Sequence, residues 1–523
     1  MIAGQVLPWS RLAYWGGAPI ALAIALSLGG CGGGGSSSTT PSPGFFDPTL
    51  YSTSATGSLP QAAELASITH HQIVVNGATL AYTAAAGHLT ARTPGTATAE
   101  ASFFYVAYTL DNKPAATRPL TFFYNGGPGS STVWLHLGSF GPKRLVTGDP
   151  STTAASPFPL VDNADSLLDI SDLVFVDAIG TGFSEAIGPN TNQSFWGVDA
   201  DAAAFRDFVV RYLAANNRAS SPIFLFGESY GTTRSALLAF LLETAGVHIN
   251  GVALQSSALN YNSNCGITGS PLSCAGYVPS YGATGAYYNL DVPNPPDATL
   301  PDFIAQMRAF TSASYDPALA QFFAGVAPSS TLVTQLSNMT GISAPKWQAN
   351  FNMTPGFYQT NLLPGTLIGL YDARVSAPLG SALARDGDPS STFVTPSFVT
   401  TIGTYLSSDL QYTTPSAYAV SSNAINTWNF AHDGLPLPDV IPDLAAAIAQ
   451  NPTLQVLSLN GYHDLVTPFF QTERDLARLG VNANVQTMFY RGGHMTYLDD
   501  GSRPLEKTDL VQFYQRAVAQ PQP

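Results

Sequence analysis

The sequence predicts an α/β fold, with a mostly parallel central sheet flanked by helices and an inserted cap region. Three observations carry that expectation. Short apolar runs alternate with longer segments whose apolar residues recur at helical spacing. Two of the runs, 173–176 and 223–226, are continuously apolar, as strands covered on both faces must be. Between residues 260 and 425 the alternation gives way to a stretch rich in Pro, Tyr, Ser, Thr and Asn, and it resumes at 454–459.

Taken in order, 72–75, 103–108 and 120–124 are β-branched and aromatic runs bounded by Gly, Asn and Pro, and read as strands. Strands at 173–176 and 223–226 follow. The segment 199–215 between them sets Phe205, Phe208, Val209 and Tyr212 on one helical face, and 232–244, rich in Ala and Leu, is a second helix. Strands that alternate with helices in this way imply parallel pairing through right-handed crossovers. Within the insertion 301–310 is helical. Beyond it come a strand at 454–459, a helix at 470–479, a strand at 485–490 and a closing helix at 507–518. No internal repeat is visible.

The N-terminus reads as an export signal. Arg11 is the only charged side chain among the first thirty residues, and an apolar stretch from 18 to 28 precedes Gly29, Gly30 and Cys31. A basic start, a short apolar segment and small residues before a cleavage site make a secretory signal rather than a permanent span, which needs about 20 apolar residues. Leu28, Gly29, Gly30 and Cys31 resemble the bacterial lipobox, in which the cysteine is lipidated and becomes the new N-terminus. The Gly/Ser-rich run after Cys31 reads as a flexible tether. The chain thus divides into a lipoprotein-type signal peptide (1–31), a tether (32–60), a first part of the core (61–259), a cap (260–425) and a second part of the core (426–523). The expected location is outside the bacterial cytoplasm, either periplasmic or held by lipid at the outer membrane facing the periplasm. In such an oxidising compartment Cys265 and Cys274 are a plausible disulfide pair.

The 523 residues carry a formal net charge of -14, which argues against a nucleic-acid partner, because phosphate binding needs a basic surface. The expected membrane contact is the lipid anchor alone.

The chemistry centres on Ser229, inside Gly227, Glu228, Ser229, Tyr230 and Gly231. A Gly-x-Ser-x-Gly run between an apolar strand and a helix is the nucleophile elbow of the α/β-hydrolase fold: the sharp turn lifts the hydroxyl above the sheet. The N–H of Tyr230 then points at a developing oxyanion. A serine hydroxyl needs a base to become nucleophilic, and in this fold the acid and the histidine follow the serine in that order. His494 stands between Gly493 and Met495, just past the strand ending at Tyr490. His432 and His463 lack that context and read as structural. Asp464 follows the preceding strand, where it can orient and stabilise the imidazole. The glycines of Asn125, Gly126, Gly127, Pro128 and Gly129, after the 120–124 strand, let backbone N–H groups approach a substrate oxygen. The Gly-Lys-Ser/Thr ending of a phosphate loop is absent.

Four blocks in this order resemble the serine carboxypeptidase family, peptidase family S10. They are Asn125 to Ser131, Asp177 with Gly180 to Ser184, Gly227 to Gly231, and Asp464 with Gly493, His494 and Met495. The cap also falls where that family has one. The resemblance implies an exopeptidase acting on peptides through Ser229, Asp464 and His494, with no metal or organic cofactor. It implies that Gly127 and Tyr230 supply the oxyanion-hole N–H groups, and that Asn125, the N–H of Gly126 and Glu228 bind the substrate's C-terminal carboxylate. Two carboxylates in contact repel, so Glu228 must hold a proton to do this, which favours acidic pH. The sequence departs from the eukaryotic pattern at Phe123, at Ser130 and at Ser139. Ser139 stands where a second Glu partners the first, so the pKa of Glu228 is expected to be less raised. An esterase or acyltransferase using the same triad is the alternative, and an anchored binding protein with a vestigial site is a more distant one.

Overall fold

The expected strands assemble into one sheet, whose central strands are buried on both faces. The computed structural model describes residues 44–520 except 94, 97, 150–156, 269–271 and 297–298. The signal peptide, Cys31 and the tether up to residue 43 lie outside the described residues.

The principal strands are β1 (Ala66–Val75), β2 (Ala78–Ala91), β3 (Ala101–Leu110), β4 (Leu120–Tyr124), β5 (Asp172–Val176), β6 (Ile223–Glu228), β7 (Gly251–Gln255), β8 (Gln455–Gly461) and β9 (Val485–Tyr490). Across the sheet they lie in the order β9-β8-β7-β6-β4-β5-β3-β2-β1. The six from β9 to β5 are parallel, and β3, β2 and β1 run as an antiparallel meander on one side. This is an α/β-hydrolase sheet.

Alternation along β4 explains the burial on both faces, one of which is covered in part by α1 (Val133–Gly138). Phe122 and Tyr124 face a core shared with Phe205 and Phe208 of α2 (Val198–Ala215) and with Leu238 of α3 (Tyr230–Thr244). Phe123 faces the opposite core, stacked between Phe175 and Phe226 at 4.6 and 4.9 Å. That second core is closed by Phe513 and Tyr514 of the C-terminal helix Arg503–Ala519.

The insertion after β7 divides into two parts. The first builds its own aromatic core from Tyr277, Tyr281, Tyr315, Trp347, Phe351 and Tyr358, with Tyr281 and Tyr358 stacked at 4.0 Å. The tyrosines crowded at 277–288 are therefore mostly packing. Cys265 and Cys274 are disulfide-bonded beside this core, with Cα atoms 5.3 Å apart. In the second part Phe398, Ile402, Tyr412 and Val420 pack onto the main sheet rather than onto the first part.

One stretch departs from the expected tether. Phe45–Phe46 pairs with Tyr412–Thr413, and Asp47 accepts hydrogen bonds from the hydroxyls of Tyr51 and Tyr412, each at 2.7 Å. Asn192 donates to the carbonyls of Ser52 and Ser54. Composition suggested flexibility here, but buried polar partners hold the backbone. Among the described residues no helix is long and apolar enough to cross a membrane.

Candidate active site

Parallel strands send their C-terminal ends to one edge of a sheet, and loops at that edge form the site in open α/β folds. The ends of β4, β6, β7, β8 and β9 meet there. Ser229 links β6 to α3 with φ +59° and ψ −127°, a strained conformation for a residue with a Cβ. The flanking glycines make the turn possible. A Cβ on Gly227 would lie 2.2 Å from the carbonyl oxygen of Gly231 and 2.4 Å from Oγ of Ser235.

Tyr230 is the first residue of α3, and first-turn amides have no intrahelical acceptor. Gly126 packs so closely that a Cβ there would sit 2.5 Å from the Tyr230 nitrogen. The loop carrying Gly127 is thus brought against the helix start. Asn125 anchors this loop: its Oδ1 accepts from Leu135 N at 3.0 Å, and its backbone carbonyl accepts from Arg234 at 2.7 Å. The buried Arg234 is itself paired with Asp201.

Asp464 and His494 approach each other from the loops after β8 and β9. His494 Nδ1 lies 2.8 Å from Asp464 Oδ2. The other carboxylate oxygen accepts from Val466 N and Thr467 N at 2.7 and 3.0 Å, and Thr467 Oγ1 donates to Oδ2 at 2.7 Å. With Nδ1–H directed to the carboxylate, Nε2 is the acceptor, and it has no hydrogen-bond partner among the described residues. Burial opposes charge on His494, but the attraction of Asp464, aided by Glu228 and Asp388, outweighs it and holds the pKa above the ordinary histidine value.

Sequence reasoning missed what fixes the histidine's backbone. Ser256 Oγ and Gln255 Nε2, at the end of β7, donate to its carbonyl at 2.5 and 3.2 Å, and its N–H donates to Tyr371 O at 2.6 Å. His432 lies instead between Asp199 and Asp443, and His463 packs edge-on against Tyr287.

Glu228 is buried beside this pair. Asn125 Nδ2 donates to its Oε1 at 3.0 Å, and the Tyr497 hydroxyl donates to its Oε2. Burial, the largest influence, pushes its pKa up to about 7. The Asp464 charge adds to the rise, while His494 and the two hydrogen bonds hold it back. Ser139, in the place of the absent second acid, turns its hydroxyl to Leu135 O at 2.6 Å. The rise expected to be smaller without that acid is supplied by burial. Tyr497 was not singled out from sequence, although it stands three residues past His494. Beyond it Glu506, on the C-terminal helix, accepts from Thr496 Oγ1 at 2.6 Å, and burial pushes its pKa to about 8.

Asn125, Gly126, Gly127, Glu228, Ser229 and His494 all line one cavity of about 440 Å³. No group of three or more His, Cys, Asp or Glu among the described residues is placed to hold a metal ion.

Residues 77–250 match the serine carboxypeptidase family, a span that includes the Asn125 loop and the Ser229 elbow but ends before Asp464 and His494. A search of curated proteins finds no match. Among solved structures, Kex1(delta)p, a prohormone-processing carboxypeptidase from Saccharomyces cerevisiae, superposes with a TM-score of 0.50 at 16% identity, over 83% of this chain and 91% of that one. Proline iminopeptidase from Mycobacterium smegmatis superposes with a TM-score of 0.35 at 14% identity, over 83% and 99%. At such identities the structural likeness speaks for the fold alone. The sheet order and the strand-to-helix turn define an α/β-hydrolase. Within that class, the sequence of residues 77–250 is similar to the serine carboxypeptidase family.

Proposed function

We propose that the protein is a serine-type carboxypeptidase that releases C-terminal residues from peptides. The observation that carries this reading is the hydrogen-bonded pair of Asn125 and Glu228, which faces the same cavity as Ser229 and His494 and is joined by the Tyr497 hydroxyl, a donor to Glu228. A hydrolase acting on esters alone has no need of a buried acid and amide beside its nucleophile. A carboxypeptidase needs both to recognise the substrate's terminal carboxylate.

In the proposed reaction the carboxylate is held by the side chains of Asn125 and Glu228 and by the N–H of Gly126. Glu228 contributes the proton that two apposed carboxyl groups must share. Ser229 Oγ attacks the last peptide carbonyl while His494 Nε2 takes its proton, and Asp464 stabilises the imidazolium through Nδ1. The N–H groups of Gly127 and Tyr230 receive the oxyanion. His494 returns the proton to the leaving amine, and the C-terminal residue departs, leaving an acyl group on Ser229. Water, deprotonated by the same imidazole, then cleaves that ester and restores the serine. No step calls on a metal or organic cofactor.

The proposal extends to location. Cys31 as a lipidated N-terminus would tether the enzyme to a membrane outside the bacterial cytoplasm, within reach of peptides there. Labelling with a radioactive fatty acid, lost in Cys31→Ala, tests this part separately.

The activity is tested with an N-blocked dipeptide and the same dipeptide amidated at its C-terminus. Cleavage of the free acid in strong preference to the amide is the expected result. Equal cleavage of both would remove the carboxylate from the recognition scheme and leave a hydrolase of another specificity.

A further inference from the structure

The cavity that holds Ser229 also holds a carboxylate for which the reaction has no use. Asp386 lies in the loop just before the cap helix Pro389–Thr404 and lines the cavity. Its neighbour Asp388 is consumed by structure: it caps that helix through Ser390 N and Ser391 N and accepts from Leu370 N and Tyr371 N. Asp386 has no such employment. It is half-buried and makes no hydrogen bond or ion pair with any described residue.

The walls around it define what would meet it. Trp134, Val394, Pro396, Val399 and Ile425 give apolar surface, and eight serines and threonines add hydroxyl groups. Among the described residues neither Lys nor Arg lines the cavity. Glu228, the other acid, is already engaged by Asn125 and Tyr497. Among the described residues Asp386 is thus the one carboxylate there left free to meet a substrate side chain.

We infer that Asp386 selects peptides with a lysine or arginine at one of the two C-terminal positions, the methylene stem lying on the apolar wall and the cation meeting the carboxylate. This rests on the carboxypeptidase reading and names the side-chain class which that reading leaves open. A long basic side chain suits such a wall because its stem is apolar while its head stays polar. An acidic side chain is excluded by like charge, which is the repulsive half of specificity. Because Asp386 is half-exposed, solvent and salt screen the pair, and the preference over an uncharged residue is only about tenfold or less.

The test uses the full chain and N-blocked dipeptides with a free carboxylate, carrying Lys, Leu or Glu at the last or the penultimate position. The expected order of kcat/KM at one of the two positions is Lys, then Leu, then Glu, with the Lys advantage shrinking as salt rises. Asp386→Asn should remove the Lys advantage and leave Leu unchanged, and Asp386→Lys should move the preference to Glu. Equal or better cleavage of Leu at both positions, or a Lys preference that survives Asp386→Asn, would overturn the assignment while the carboxypeptidase reading stood. Failure to cleave any of the peptides, with labelling of Ser229 intact, would overturn both.

Discussion

Replacing Tyr497 with Phe removes one hydroxyl and leaves the ring. In the folded chain that hydroxyl donates to Glu228 Oε2, and this bond favours the ionised acid, against the burial that holds the pKa up at about 7. A hydrogen bond to a charged group is worth about 1.5–3 kcal/mol, and each pKa unit corresponds to about 1.4 kcal/mol. Without it Glu228 should therefore titrate about one to two pH units higher. The proton needed to bind a substrate carboxylate would persist to higher pH. The assay is kcat/KM against pH for an N-blocked dipeptide free acid, beside a simple ester that lacks a carboxylate. In the wild type the peptide profile should fall as pH rises through about 7. In Tyr497→Phe that fall should move up by about one to two pH units, with the ester profile unchanged. A limb that stays in place, or peptide and ester profiles that shift together, would refute the assignment of the titration to Glu228.

Glu228→Gln should keep peptide cleavage but lose its decline above neutrality, since the amide donates at every pH; the same peptide pH series checks it. Asp464→Asn should lower kcat by about 10³–10⁴-fold at nearly unchanged KM, because the imidazole loses its orientation and its counter-charge. Fluorophosphonate labelling should be abolished in Ser229→Ala, as followed by gel fluorescence. Glu506 has a folded pKa of about 8 against an ordinary 4.5. A carboxyl raised in this way binds its proton more tightly when folded, so its contribution is intact below about pH 4.5 and is lost as pH climbs to about 8. Glu506→Gln should flatten the fall of the melting temperature between those pH values, as read by calorimetry.

Much of the site was legible in the sequence because it sits on short, local devices. Gly227 to Gly231 is a turn whose residues are neighbours in the chain, and an apolar strand before it with a helix after it suffices to recognise the elbow. The Asn125 loop, Asp464 and His494 are legible for the same reason, since each stands just past a strand of a parallel sheet and such ends converge. The sheet itself follows from runs that are apolar on both faces, such as Phe122, Phe123 and Tyr124.

Other features depended on meetings between distant parts of the chain. Tyr497 reaches Glu228 across 269 positions, and Gln255 and Ser256 reach the carbonyl of His494 across 239 and 238. No local pattern marks a tyrosine that will donate to a buried acid. The polar partners that hold residues 45–54 against the core were hidden in the same way. The sequence by itself determined the fold class, the strand-to-helix turn and the order of Ser229, Asp464 and His494 past their strands, because these follow from periodicity and from residues adjacent in the chain. Only the tertiary structure decided that Glu228 is held near neutrality by burial rather than by a second acid at Ser139, and that Asp386 and not Asp388 is free to face the cavity. Burial and partner choice belong to the packed molecule, where desolvation and the nearest donor outweigh the identity of the neighbours in sequence.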